Sequence, residues 1–251
     1  MTFKEWIFSS YPNPGVHGQW GIVHIITLIL CAALVVFLTL TLKNKSSKQK
    51  RIAMGVIAGI ILLFEIARRV INLIKTTDYG FNNILRILLP RPGCAIACWL
   101  VILAVIINKK YFYNFASIIS LLCGGIFFCY PGAGFNNQFI LFENLYSIVT
   151  HSLMFSSGIL FITLKLTEFR YKKIWKELIC IGVLIVYAFL EIYVLKIEGD
   201  PFYFMPGNDV QDILGTSYAL FLPIYLVFVT IFINLFYLIQ DRKTVFCKRK
   251  K

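Results

Sequence analysis

The sequence predicts an all-α membrane protein, a single domain of seven transmembrane helices that covers residues 1–251. Seven long apolar stretches follow one another, 59% of the residues are hydrophobic, and the basic residues are concentrated in alternate loops. Each stretch has about 18–25 residues, and a helix of that length, rising about 1.5 Å per residue, crosses a hydrocarbon core of about 30 Å. A soluble domain of ordinary composition is excluded.

The predicted spans are apolar runs separated by short charged or turn-forming segments, which is the pattern of a polytopic helical bundle. In chain order they are Trp20–Leu42, Ile52–Ile74, Ile84–Ile107, Tyr111–Tyr130, Ile140–Leu164, Leu178–Leu195 and Leu214–Ile239.

The loop charges predict the orientation of the chain. Of the 25 Lys and Arg residues, 18 lie after spans one, three, five and seven. The positive-inside rule places those loops and the C-terminus in the cytoplasm and the N-terminus outside. The net charge of +13 therefore predicts contact with anionic headgroups of the cell membrane and not with nucleic acid. Membrane lipids are the expected partners, and the sequence leaves the oligomeric state open.

Ionisable residues inside the spans are costly to bury and are candidate functional groups. They are His24, Glu65, Arg68, Arg69, Arg86, Arg91, His151 and Glu191. Plainer interpretations remain open for several of them. Glu65 and Arg68, three residues apart, have the spacing of an ion pair on one helix face. His151 has polar neighbours suited to an interhelical hydrogen bond. Glu191 lies close enough to the outer end of its span to be solvated.

Span three is interrupted by the segment Leu88-Leu-Pro-Arg-Pro-Gly-Cys94. Pro90 and Pro92 lack amide hydrogens and disfavour helix in the residues before them, so a break with free carbonyls is predicted here. Cys94 would then open the unbroken half of the span. Helix N-terminal amides and the nearby Arg91 would stabilise its thiolate, and a His would serve as its base. The alternative is a proline kink beside an inert cysteine.

Three reactive side chains are predicted at matching depth. Counted from the outer ends of their spans, Glu65, Cys94 and His151 each lie about 14–17 Å below the outer surface.

The chain has seven cysteines, an odd number, and most of them lie within predicted spans. Both facts argue against a disulfide framework.

The order of four short patches resembles the YwaF-like integral membrane proteins of bacteria, which are similar to a vertebrate multi-pass acyltransferase. The patches pair Gly21 with His24, join Leu89 and Pro90 to Cys94, place His151 after a polar loop containing Asn136-Asn137, and put Tyr203-Phe204-Met205-Pro206 before the last span. The second patch departs from the family's Leu-Pro-Leu-His-Leu-Cys signature, because Arg91-Pro92-Gly93 stands at its centre. The resemblance implies a Cys/His acyl-transfer site acting on membrane lipid. If the motif's own His takes part in that chemistry, this chain has lost the activity or uses His151 in its place.

Two classes of function, and a non-catalytic role, are therefore open. The first is a lipid acyltransferase or lipid hydrolase open to the outer leaflet, with Cys94 as nucleophile and His151 as base. The second is a small-solute transporter or a substrate-binding membrane subunit, and the third is a membrane protein without small-molecule chemistry. The candidate binding residues are His24, Glu65, Arg91 and Asn137. No metal or cofactor is predicted.

Overall fold

The computed structural model describes residues 2–8, 20–91, 93–129, 132–135, 140–197 and 215–241. Every regular element within those ranges is helical. The chain forms two compact units. The first comprises Met1–Pro90 and Cys94–Thr167, and the second comprises Arg91–Gly93 and Glu168–Lys251.

Eight α-helices are described in the first unit, and they include four of the predicted spans and the broken third one. They are α1 (Phe3–Phe8), α2 (Ile22–Leu42), α3 (Ser47–Lys75), α4 (Phe81–Leu88), α5 (Gly93–Ile107), α6 (Lys110–Cys129), α7 (Gly132–Phe135) and α8 (Phe142–Thr163). The predicted span boundaries agree with these helices to within a few residues, because apolar length decides both.

Two long apolar helical segments lie in the described part of the second unit. The first begins as a 3₁₀ turn at Tyr171–Lys173, continues as α9 (Trp175–Phe189) and ends in a π-helix at Leu190–Val194. The last is α10 (Tyr218–Gln240). Asp241, at the end of α10, accepts a hydrogen bond of 2.8 Å from the backbone amide of Tyr171. This bond joins the cytoplasmic ends that the charge pattern predicts for the two segments.

The structure supports a multi-pass membrane protein without confirming seven spans. Five described helical segments are long and apolar enough to cross a bilayer, and the bent pair α4–α5 makes a sixth. The remaining predicted span corresponds to α3, which has 29 residues. It is long enough to cross, but Glu65, Arg68 and Arg69 place three charges in its apolar part. The count of seven and the orientation therefore remain predictions.

The break predicted in span three is confirmed. Helices α4 and α5 meet at an angle of 55°, and α5 begins at Gly93. An α-helix would need an amide hydrogen at position 92 to reach the carbonyl of Leu88, and proline has none. Arg69 Nε donates a hydrogen bond of 3.0 Å to that carbonyl instead. A buried side chain thus satisfies a carbonyl that the proline leaves free.

Small residues bring α6 and α8 close together. A Cβ added at Gly124 would lie 2.6 Å from the Cβ of Phe155, and one added at Gly158 would lie 3.1 Å from the carbonyl oxygen of Ser117. Such close approach is how helices associate where lipid removes the hydrophobic driving force. It holds α6 and α8 in a fixed register, and each of them contributes a side chain to the site described next.

Candidate functional site

Cys94 lies in the first turn of α5, where the helix resumes after the break. Its half-buried side chain is in hydrogen-bonding contact with two others, Cys123 of α6 and His151 of α8. Three helices therefore each contribute one reactive side chain to a single point. Because the first amides of a helix lack partners within the helix, they favour negative charge at the Cys94 sulfur.

The imidazole of His151 is held in one orientation by two contacts. Nδ1 lies 2.7 Å from the carbonyl oxygen of Ser147, four residues earlier on α8. A carbonyl only accepts, so Nδ1 donates and the neutral ring carries its lone pair on Nε2. The ring also stacks on Phe127 of α6, with centroids 3.9 Å apart and planes 15° apart. This tautomer leaves Nε2 available as a base for the Cys94 thiol.

Glu65 is the centre of a buried polar network. The Glu65 side chain is fully buried on α3 and forms an ion pair with Arg69, one helical turn away. The Tyr146 hydroxyl of α8 donates a hydrogen bond of 2.5 Å to its other carboxylate oxygen. The carboxylate is thus neutralised and hydrogen-bonded from two helices, as a buried charge in a membrane requires.

Aromatic rings and a thiol surround this ion pair. The guanidinium of Arg68 lies 5.0 Å from the centroid of the Tyr146 ring, and that of Arg69 lies 5.4 Å from the Trp99 ring. Cys98, one turn after Cys94 on α5, is buried and within electrostatic range of Glu65 and both arginines. The sequence suggested pairing of Glu65 with Arg68 at spacing i, i+3, whereas the ion pair described for Glu65 is with Arg69 at i, i+4.

His24 is fully buried in an aromatic cluster near the outer end of α2. Its Nδ1 accepts a hydrogen bond of 3.2 Å from the amide of Trp20, and its ring lies 4.9 Å from Phe135 and 6.4 Å from Phe128. Phe127, on which His151 stacks, belongs to the same cluster. The described contacts of His24 are thus with the start of its helix, the backbone of Phe128 and aromatic rings, and none of them is with His151 itself.

Arg91 forms an ion pair with Glu191 within the second unit, with Nε 2.7 Å from the carboxylate oxygen. The Glu191 side chain is only 1% exposed, in the π-helix that ends the α9 segment. The interpretation of Glu191 as solvated is therefore wrong: an arginine of the span-three break neutralises it in place of water. This pairing also gives the Arg91 charge a partner other than the thiolate that the sequence suggested.

Four contacts at the site were not predicted from the sequence, namely those of Cys123, Ser147, Tyr146 and Arg69. The spacing of Ser147 and His151 by four residues on one helix carried a weak signal, as did that of Glu65 and Arg69. Cys123 and Tyr146 are recognisable only once helices are packed. The predicted binding residue Asn137 lies outside the described residues. Among those that are described, no three His, Cys, Asp or Glu side chains are placed to hold a metal ion.

Comparison of the sequence with protein families gives a match to one family, and the match covers the residues of this site. The sequence model of the TMEM164 family matches residues 18–240, a stretch that includes Cys94, Cys123 and His151. No curated protein and no solved structure matches the chain.

Proposed function

The chain belongs to the TMEM164 family of multi-pass membrane proteins. We propose that it is a lipid acyltransferase or lipid hydrolase with Cys94 as its nucleophile. The observation that carries the proposal is the contact of the Cys94 thiol with His151, at the first turn of a helix. A thiol beside an oriented imidazole is the arrangement by which proteins generate a nucleophilic thiolate.

The first step of the proposed reaction forms a thioester. His151 Nε2 accepts the thiol proton, and the sulfur attacks the carbonyl carbon of a lipid ester. The negative charge that develops on the carbonyl oxygen faces the free amides of the α5 N-terminus. The ester C–O bond breaks, and the departing lipid oxygen takes the proton from His151.

The second step restores the thiol. A hydroxyl group of an acceptor lipid, or water, gives its proton to His151 and attacks the thioester carbonyl. The C–S bond breaks, and the sulfur regains its proton from the imidazolium. A lipid acceptor makes the overall reaction an acyl transfer, and water makes it a hydrolysis.

Two contacts of neighbouring residues support the proposed roles of Cys94 and His151. The carbonyl of Ser147 holds the base in the tautomer that the reaction needs. The Glu65–Arg69 pair secures the end of α4, through Leu88, next to the break that precedes Cys94. The described contacts of Glu65 and His24 do not include the His151 ring, so the proposal assigns the orientation of the base to Ser147.

A thiol-directed probe with a lipid-like chain tests the proposal. We expect an acyl-chain iodoacetamide to label Cys94 in the wild-type protein, and His151→Ala to reduce that labelling at least about tenfold, because a neutral thiol is a poor nucleophile. The exposed thiol of Cys129 serves as an internal control whose labelling does not change. Equal labelling of Cys94 in both proteins would show that the imidazole does not activate the thiol.

The proposed orientation places the site towards the outer leaflet. We expect a reporter fused after Lys251 to behave as cytoplasmic and one inserted within residues 132–137 to behave as external, because basic loops stay in the cytoplasm. The readout is reporter activity on each side of the cell membrane. An external C-terminal reporter would reverse the orientation and move the proposed site to the opposite leaflet.

A further inference from the structure

Cys123 has no task in the proposed acyl transfer, yet its thiol is in hydrogen-bonding contact with that of Cys94. The two side chains come from different helices, α6 and α5, and both thiols are free in the structure. His151 contacts the same Cys94 sulfur. A contacting dithiol with a base at one sulfur has the components of a peroxide-reactive pair, in which one thiol attacks and the other resolves.

We propose that Cys94 and Cys123 form a reversible disulfide when a hydroperoxide reaches the site, with Cys94 as the attacking thiol and Cys123 as the resolving thiol. The proposal requires neither acyl transfer nor a lipid substrate. Only its consequence for activity rests on the proposed function, because a thiol held in a disulfide cannot form a thioester.

The disulfide forms in two steps. The Cys94 thiolate attacks the terminal oxygen of the hydroperoxide, the O–O bond breaks, and the alcohol leaves with the proton that His151 had accepted. Cys94 becomes a sulfenic acid. The Cys123 sulfur then attacks the Cys94 sulfur, the S–O bond breaks, and the hydroxyl leaves as water with the Cys123 proton. Two thiols are oxidised and one hydroperoxide is reduced to an alcohol and water.

Helix geometry selects Cys123 over Cys98 as the resolving thiol. Cys98 lies four residues after Cys94 on the same helix, a spacing that separates the two Cβ atoms by about 5–6 Å. A disulfide needs a Cβ–Cβ distance of about 3.5–4.5 Å. Within the intact helix the Cys94–Cys98 bond is therefore strained. Cys123 belongs to a different helix, α6, so its contact with the Cys94 thiol is not fixed by the spacing of residues within one helix.

The test is thiol counting on the full chain in lipid nanodiscs. Hydrogen peroxide is added, the remaining thiols are blocked with a maleimide under denaturing conditions, and peptides are analysed by mass spectrometry. We expect reactive thiols to fall from seven to five, a cross-linked peptide joining Cys94 to Cys123, and full recovery with dithiothreitol. Lipid turnover plays no part in the readout, so failure of the acyl-transfer proposal would leave this result unchanged.

Two variants sharpen the result. Cys123→Ser should give no cross-link and should accumulate a sulfenic acid at Cys94 that dimedone traps. Cys98→Ser, the matched control, should still form the Cys94–Cys123 bond. A wild-type protein that keeps seven reactive thiols, or one that links Cys94 to Cys98, would overturn the proposal.

Discussion

Replacing Cys94 with Ser is expected to abolish acyl transfer or ester cleavage on phospholipid, with a loss of at least about 10³-fold. A serine hydroxyl is a far weaker nucleophile than a thiolate, and a site whose base is matched to a thiol does not activate it to the same extent. Replacing His151 with Ala should cost about 10²–10⁴-fold, the usual contribution of a general base. The measurement is release of a labelled fatty acyl group, or its transfer to a lipid acceptor, by purified protein in nanodiscs.

Cys98→Ser is the matched control for this prediction. Cys98 lies one helical turn further along α5 and is buried beside the Glu65 network. Its replacement by serine exchanges a sulfur for an oxygen, as Cys94→Ser does, but leaves the contact of Cys94 with His151 in place. Most activity should remain. Full activity of Cys94→Ser, or an equal loss in Cys98→Ser, would mean that the Cys94 thiol is not the nucleophile, and a binding or packing role would take its place.

Replacing Glu65 with Gln is expected to be the most destabilising single change in the network, lowering the free energy of unfolding by about 3–5 kcal/mol. The substitution leaves the buried Arg69 guanidinium, whose side chain is only 9% exposed, without its counter-charge. A guanidinium stays protonated, so it cannot avoid the penalty by losing its charge. Thermal unfolding in detergent, followed by loss of the monodisperse chromatographic peak, measures the effect.

The size of the loss in unfolding free energy distinguishes the effect of an unpaired buried charge from that of a lost hydrogen bond. Tyr146→Phe removes one hydrogen bond to the carboxylate and should cost about 1.5–3 kcal/mol. The double variant Glu65→Gln/Arg69→Met removes both charges and should recover part of the loss seen in Glu65→Gln alone. Glu143→Gln, at an exposed position of α8, should lie within about 0.5 kcal/mol of wild type. A double variant less stable than the single one would refute the ion-pair explanation.

The sequence alone predicts the helical membrane class and most helix boundaries, because both depend on apolar length, which is a local property of the chain. It also predicts the break before Cys94, since proline lacks an amide hydrogen wherever it occurs. It does not establish how many spans there are. Glu65, Arg68 and Arg69 lie in α3, so the composition of this helix fits both a membrane span that carries charges and a helix buried inside the protein.

The side-chain contacts depend on how the helices pack, so only the tertiary structure decides them. The sequence proposes Cys94 and His151 as a pair from depth and residue type, and the structure brings them into contact, but it also adds Cys123 to the same point. Arg91 pairs with Glu191, and Tyr146 of α8 donates a hydrogen bond to Glu65 of α3, although the members of each pair lie far apart along the chain. Each choice depends on the relative rotation of helices. A rotation of one residue, about 100°, changes which side chain faces a neighbour while leaving length and composition unchanged.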